Sequence, residues 1–321
     1  MLIAIRSQNA AEKINSTFCS FVRGLLSRLT APFSVSVFEL IVFFSPLLVF
    51  FAVRYVLKGN FKAKSGFFNI LSFFSLIPTL FFLTIGISAC TRPILMADAS
   101  PSYEELVTCS EKLIEEVNLQ SDMNAGGLSI KEMHSELEKS CFEVSRELEI
   151  TIKKLPEPKV LSAPWLSNRL GILGHYSFLT GEVNINTDIP DYMIPFSLAH
   201  EYAHYLGIAN EAEANFFAFL VCTKSSEPYI KYSGALSTLE YFLSDVYKNG
   251  GEEYARLYHS LSDTALSCLK ESYEYTKKYS SGYVYKAAEG INSSYIGAFD
   301  KGGSFSYSAV CRYVTQYLLY S

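Results

Sequence analysis

The residues His200-Glu201-Tyr202-Ala203-His204 place two imidazoles and a carboxylate in the spacing H-E-x-x-H. On a helix, positions four apart share a face, so His200 and His204 can direct two ring nitrogens at one metal ion. Glu201 sits one step round, where its carboxylate can hold a water bound to that metal. Zinc lowers the pKa of such a water to about 7, and the carboxylate then takes its proton as the water attacks a carbonyl. The pattern predicts a hydrolase with Zn²⁺ as cofactor, a peptide or protein as substrate, and Glu201 as catalytic base.

A catalytic zinc site has three protein ligands and one open position. Downstream, Gly207 suits the left-handed cap that ends a helix, and Asn210 suits the N-cap of the next. Glu211 and Glu213 then fall in a first helical turn, where the helix dipole favours carboxylates. The segment is read as helix, short turn, helix, with an acid folded back on the two histidines. Glu211 and Glu213 lie about 200° apart around a helix axis, so one of them serves and the other does not. Glu211 is the predicted ligand, because Asn215 four residues on can hydrogen-bond a ligand and orient it. Glu213 is the alternative. Asn210 stands where the metzincin extension of the motif has a third histidine, and an amide is a poor zinc ligand. Charge developing on the carbonyl oxygen also needs a stabiliser, and Tyr232, Tyr295, Tyr307 and His175 are the candidates.

The elements that must position these groups are legible in outline. Ser100-Pro101-Ser102 opens one helix, and Ser129-Ile130-Lys131-Glu132 opens a second that runs to about Leu155. Pro156, Pro158 and Pro164 mark an extended connection. Residues 171–186 alternate in strand fashion around a turn at Thr180-Gly181-Glu182, which predicts a hairpin just before the motif helix. Such an edge strand can hold a substrate backbone by strand addition, or it can simply pack on the helix.

The first third is of another character. With 15% aromatic residues and mean hydropathy +0.17, the chain is too apolar for an ordinary soluble enzyme, and its net charge of −5 speaks for no nucleic-acid partner. No charge falls between Lys64 and Arg92, and only Glu39 falls between Arg28 and Arg54. Two transmembrane helices are therefore expected within 35–91, after a tail at 1–34 whose residues 14–29 form an amphipathic helix lying at the bilayer interface. Residues 92–321 form the catalytic domain. The basic loop (Arg54, Lys58, Lys62, Lys64) points to the cytoplasm and puts that domain outside, on a multi-pass protein of the bacterial cell membrane. The basic tail (Arg6, Lys13, Arg23, Arg28) argues for the reverse, and a further membrane helix upstream would reconcile the two. Seven cysteines without a CxxC pair exclude complete pairing within the chain.

The pattern of residues resembles a known family over most of 15–321. The matching residues are Pro32-Phe33-Ser34, Arg92-Pro93, Pro158-Lys159, Gly171-Ile172, Thr180-Gly181-Glu182 and Asn184-Ile185-Asn186. They continue through the HEYAH segment with Gly207, Glu211 to Phe216, Cys222, Tyr232-Ser233-Gly234, Asn292, Tyr295 and Ser306-Tyr307. The family is the bacterial membrane family known as domain of unknown function 3810, which is similar to gluzincin metallopeptidases. The resemblance implies zinc at His200, His204 and one of the two glutamates, with Glu201 as base. The expected fold is α+β and predominantly helical: a transmembrane hairpin followed by a zincin-like domain with a small hairpin or sheet. The rival expectation, from another class, is a metal-binding membrane sensor or scaffold that cuts nothing.

Overall fold

The computed structural model describes residues 7–57, 72, 75–95, 100–121, 127–152, 154–280, 282, 285, 286, 290 and 307–321, with the backbone alone for residues 52, 55–57, 307 and 308. The N-terminal part comprises α1 (Gln8–Ile14), a π-helical turn at Asn15–Cys19, α2 (Ser20–Thr30) and α3 (Val37–Leu57). A helical stretch at 75–81 runs into a second π-helical turn at Phe82–Gly86. There follow α4 (Tyr103–Ser121), α5 (Ile130–Glu147), β1 (Lys159–Val160), α6 (Pro164–Leu170), β2 (Gly174–Tyr176) and β3 (Val183–Ile185). The chain closes with α7 (Met193–Leu206), α8 (Glu211–Lys224), α9 (Pro228–Asn249), α10 (Gly251–His259), α11 (Asp263–Ser280) and α12 (Tyr307–Tyr320). The architecture is α+β and predominantly helical, as expected.

The core forms around α9, against which α4, α7, α8 and α12 pack. α8 buries an unbroken run from Phe216 to Cys222, and α9 buries Tyr229, Ile230, Leu236, Leu239 and Phe242. A helix apolar all round must be enclosed by others, which is why α8 sits in the middle. α8 and α9 come together at Gly234, where an added methyl group would lie 2.3 Å from Cys222 Cβ, so only glycine permits this approach.

Local signals behaved as read. Ser129 and Glu132 form a reciprocal capping box at the start of α5. α5 nevertheless stops at Glu147 and does not reach Leu155. Glu149 turns the chain with φ 55°, and Ile150 N–H closes on Ser145 O. Pro164 likewise opens the short helix α6 where an extended connection was expected.

The three strands form one sheet in the order β1-β3-β2. β1 runs parallel to β3, pairing Val160 with Ile185, while β2 is antiparallel, pairing His175 with Asn184. The predicted hairpin is present, and β1 adds a strand whose two residues carry too little pattern to be seen. Val183 and Ile185 lie in the core beside α7.

The tail and the start of α3 are packed on the rest of the molecule. Lys159 Nζ donates to Thr30 O, Val35 O and the Glu182 carboxylate. Glu182 also accepts from Val37 N–H and Phe38 N–H, the free donors at the first turn of α3. Glu39 accepts from Ser162 and Ala163 N–H. Arg23, expected on the polar face of an interfacial helix, is only 2% exposed.

Among the described residues no helix is long and apolar enough to cross a membrane. In α3 the described, largely apolar side chains run unbroken from residue 40 to residue 51. They are exposed on all sides, with Phe43 at 76% and Leu48 at 63%. Of the second expected membrane helix, between Lys64 and Arg92, residues 65–71, 73 and 74 lie outside the described residues, as does the basic loop at 58–64. All seven cysteines are free thiols.

Candidate metal centre

Two helices and the turn between them build the site. α7 ends on Gly207 in the left-handed conformation, φ 94°, and Asn210 caps α8 by accepting from Glu213 N–H at 3.0 Å. Both features were read from the sequence. The turn folds the first residue of α8 back over the last turn of α7, so the Glu211 carboxylate reaches both motif histidines. His200 Nε2 lies 3.2 Å from Glu211 Oε2, and His204 Nε2 lies 3.6 Å from Glu211 Oε1. The two Nε2 atoms are 3.0 Å apart.

The far side of each ring fixes its tautomer. His204 Nδ1 is 2.8 Å from Ile208 O, an atom that can only accept, so Nδ1 carries the proton. His200 Nδ1 is 2.8 Å from Asn215 Oδ1 and donates to it. In the neutral rings both Nε2 atoms are therefore lone pairs, and they converge with a carboxylate. Three acceptors with no donor among them repel one another unless a positive charge sits between. Zinc bound tetrahedrally at about 2.0–2.1 Å would space its ligand atoms about 3.3 Å apart, close to the separations here. The donor set of His200, His204 and Glu211, all within 4.8 Å of one another, fits that ion.

Electrostatics point the same way. Burial disfavours charge on His204, yet the Glu211 carboxylate more than reverses this and lifts its pKa to about 9. Burial would also raise Glu211, but His204 and His200 hold it far below the usual carboxylate range. The cluster thus favours added positive charge, whether proton or metal.

Glu201 is 6% exposed, and burial raises its pKa, partly offset by the two histidines. It lies against the hairpin: a methyl group on Gly174 would come within 2.9 Å of its Cγ. His175 pairs with Asn184, and just beyond the strand ends Asn186 N–H donates to Leu173 O and Ser177 N–H to Glu182 O, so these alternate residues face β3. Gly174 and Tyr176 therefore aim their backbone N–H and C=O groups away from β3, on the side of Glu201, whose carboxylate accepts from Tyr176 N–H.

The remaining expected residues divide. Glu213 is not part of the cluster, and Asn215 supports it through His200. His175 is on the opposite face of β2 from Glu201, its ring 4.8 Å from that of Phe38 and its Nε2 3.3 Å from Asn184 Nδ2. Burial there depresses its pKa to about 4. Alternation along a strand turns it away, and the structure does not bring it to the cluster. Tyr232 is likewise set apart, fully buried in α9 with its hydroxyl beside the Cys268 thiol. Tyr295 lies outside the described residues. Tyr307 begins α12, and its side chain is not described.

A family model described as protein of unknown function (DUF3810) matches residues 15–315, nearly the whole chain. The chain belongs to the DUF3810 family. No curated protein matches it, and no solved structure does. The match covers the tail, α3 and the metal cluster together, as the packing does. One member of that packing was missed by sequence reasoning: Arg23 donates to Leu206 O at 3.0 Å, Thr84 O and Asn15 Oδ1, while Asn15 Nδ2 donates to Gly207 O. This pair from the N-terminal helices grips the end of α7, two and three residues past His204. An arginine with four carbonyl and amide acceptors and no carboxylate leaves no local trace.

Proposed function

We propose that this protein is a membrane-anchored zinc metallopeptidase of gluzincin type, with His200, His204 and Glu211 as ligands and Glu201 as base. The convergence of two tautomer-locked Nε2 lone pairs on the Glu211 carboxylate carries the reading. Bound there, zinc would supply Lewis-acid polarisation of a water and of the carbonyl under attack. Glu201 takes the proton from the attacking water on its carboxylate oxygen and passes it to the leaving amine. Asn215 and Ile208 O hold the imidazoles in the ligating tautomer throughout. The Gly174 backbone groups and the Tyr176 carbonyl offer an extended peptide an edge to pair with, close beside the base.

The exposed apolar surface of α3, together with the uncharged run at 65–91, supports anchoring in a bilayer as a helical hairpin. The basic loop between its arms supports a catalytic part outside the cytoplasm. A cysteine introduced at Lys62 should be labelled by an impermeant reagent only after the cells are opened.

The decisive measurement is metal analysis of the full chain with a peptide-library cleavage assay. Wild type should carry about one zinc per chain. His200→Ala and Glu211→Ala should lose it, and Glu201→Gln should keep the metal and lose cleavage. A chain that purifies without zinc and gains none on dialysis would sink the proposal. Zinc with no cleavage, and a cellular phenotype that survives Glu201→Gln but not His200→Ala, would favour the sensor or scaffold instead.

A further inference from the structure

A cleft of about 560 Å³ lies between α2 and the segment at 151–159, with Tyr205 and Leu206 of α7 in its wall. Its size falls within the roughly 300–1,000 Å³ typical of small-molecule sites. Among the described residues four cations line it, Arg23, Arg28, Lys154 and Lys159, against two carboxylates, Glu157 and Glu182. The deeper pair is occupied: Lys159 is neutralised by Glu182, and Arg23 is saturated by carbonyl and amide groups. Arg28 and Lys154 differ. Both are exposed, and among the described residues neither side chain makes an ion pair or hydrogen bond. The Arg28 charge is felt by the Tyr205 phenol, which places it at the cleft.

The surroundings of the cleft are apolar. Phe18, Phe21, Leu25 and Leu29 recur along one stripe of α2 and the turn before it, all 44–63% exposed. Exposed Phe33 and Val35 continue this surface to the start of α3 and its apolar face. Phe21 and Phe33 also form part of the cleft wall. Two unpaired cations lining the cleft, against the one exposed carboxylate of Glu157 and with exposed aromatic side chains beside them, match a molecule with an anionic head and apolar tails. A bulk anion would gain nothing from the phenylalanines, and a neutral lipid nothing from the cations.

We propose that this cleft binds the phosphodiester headgroup of an anionic phospholipid, with Arg28 and Lys154 on the phosphate and the acyl chains running past Phe21 and Phe33. The inference rests on the membrane-anchored reading for its source of lipid, and not on the zinc site. Basic pockets at the edge of a membrane segment are a recurrent means of lipid recognition.

The test uses the full chain in a neutral detergent, titrated with monomeric dihexanoyl-phosphatidylglycerol or dihexanoyl-phosphatidylcholine and followed by calorimetry and thermal unfolding. The anionic lipid should bind at least about tenfold more tightly, as expected for a phosphate paired with two cations. The double variant Arg28→Gln/Lys154→Gln should bring the two lipids to within about twofold, with its lipid-free unfolding midpoint unchanged because both side chains are exposed. Phosphate ion should compete weakly. Equal affinity for the two lipids, a preference that survives the double variant, or displacement by inorganic phosphate at equal concentration would each overturn the site. Carbonate extraction of membranes tests the anchor separately: release of a chain that still prefers the anionic lipid defeats the anchor and spares the cleft.

Discussion

Replacing Asn215 by alanine removes one hydrogen bond from the proposed zinc site without touching a ligand, so it isolates what the tautomer lock is worth. His200 Nδ1 donates to Asn215 Oδ1 at 2.8 Å, and that nitrogen has no second acceptor among the described residues. Loss of a buried hydrogen bond costs about 0.5–1.5 kcal/mol net. Here the ring also gains rotational freedom and access to the wrong tautomer, with the proton on the nitrogen that must ligate. Losses of this kind weaken metal binding about 10–100-fold, which corresponds to roughly 1.4–2.7 kcal/mol. Asn215→Asp keeps an acceptor in place and should bind zinc within about threefold of wild type or more tightly. The assay is competition with a chromogenic zinc chelator on the full chain, with circular dichroism to confirm folding. His204 supplies the internal control, since its acceptor is a backbone carbonyl that no side-chain substitution deletes. A folded Asn215→Ala protein whose zinc affinity is unchanged within about twofold would refute the argument that the bond to Asn215 holds His200 ready for the metal.

Three further outcomes follow from other parts of the structure. Gly174→Ala should retain zinc but lose cleavage, because the added methyl group displaces the Glu201 side chain; a variant with full activity would show that Glu201 works from elsewhere. Gly234→Ala should lower stability by about 1–3 kcal/mol through overpacking against Cys222, and an unshifted thermal midpoint would contradict the close approach of α8 and α9. Burial alone would raise the Glu182 pKa, but Lys159, the Val37 and Phe38 N–H groups and the Thr180 hydroxyl bring it below the ordinary carboxylate value. A depressed folded-state pKa contributes stability that is complete above the unfolded value, about 4.3, and is lost as pH falls through the folded one. Glu182→Gln should therefore flatten the acid limb of the stability profile and cost about 3–5 kcal/mol at neutral pH by stranding Lys159. An acid limb identical to wild type would assign acid sensitivity to other groups.

The sequence by itself determined what short-range chemistry controls. The HEYAH helix, its Gly207 cap, the Asn210 cap and the Ser129-Glu132 box each depend on residues within about four positions of one another, so their patterns survive in one dimension. It also limited the third ligand to one of Glu211 and Glu213, because 3.6 residues per turn separates those two side chains, and Asn215 turned the choice to Glu211, although in the structure Asn215 bonds His200 instead. Tertiary structure decided where the local pattern was silent or ambiguous. His175 and Tyr232 are polar groups near the motif in sequence, and only strand alternation and helix packing turn them away from the cluster. Arg23 reads as an interfacial charge until Leu206, 183 residues away, supplies the carbonyl that buries it. Lys159, Glu182 and the first turn of α3 are also distant in sequence and joined only in space. Buried polar groups must find partners, and those partners come from wherever the fold happens to bring a backbone carbonyl or an opposite charge. Such pairings follow from the packing of whole helices, which no single stretch of residues encodes.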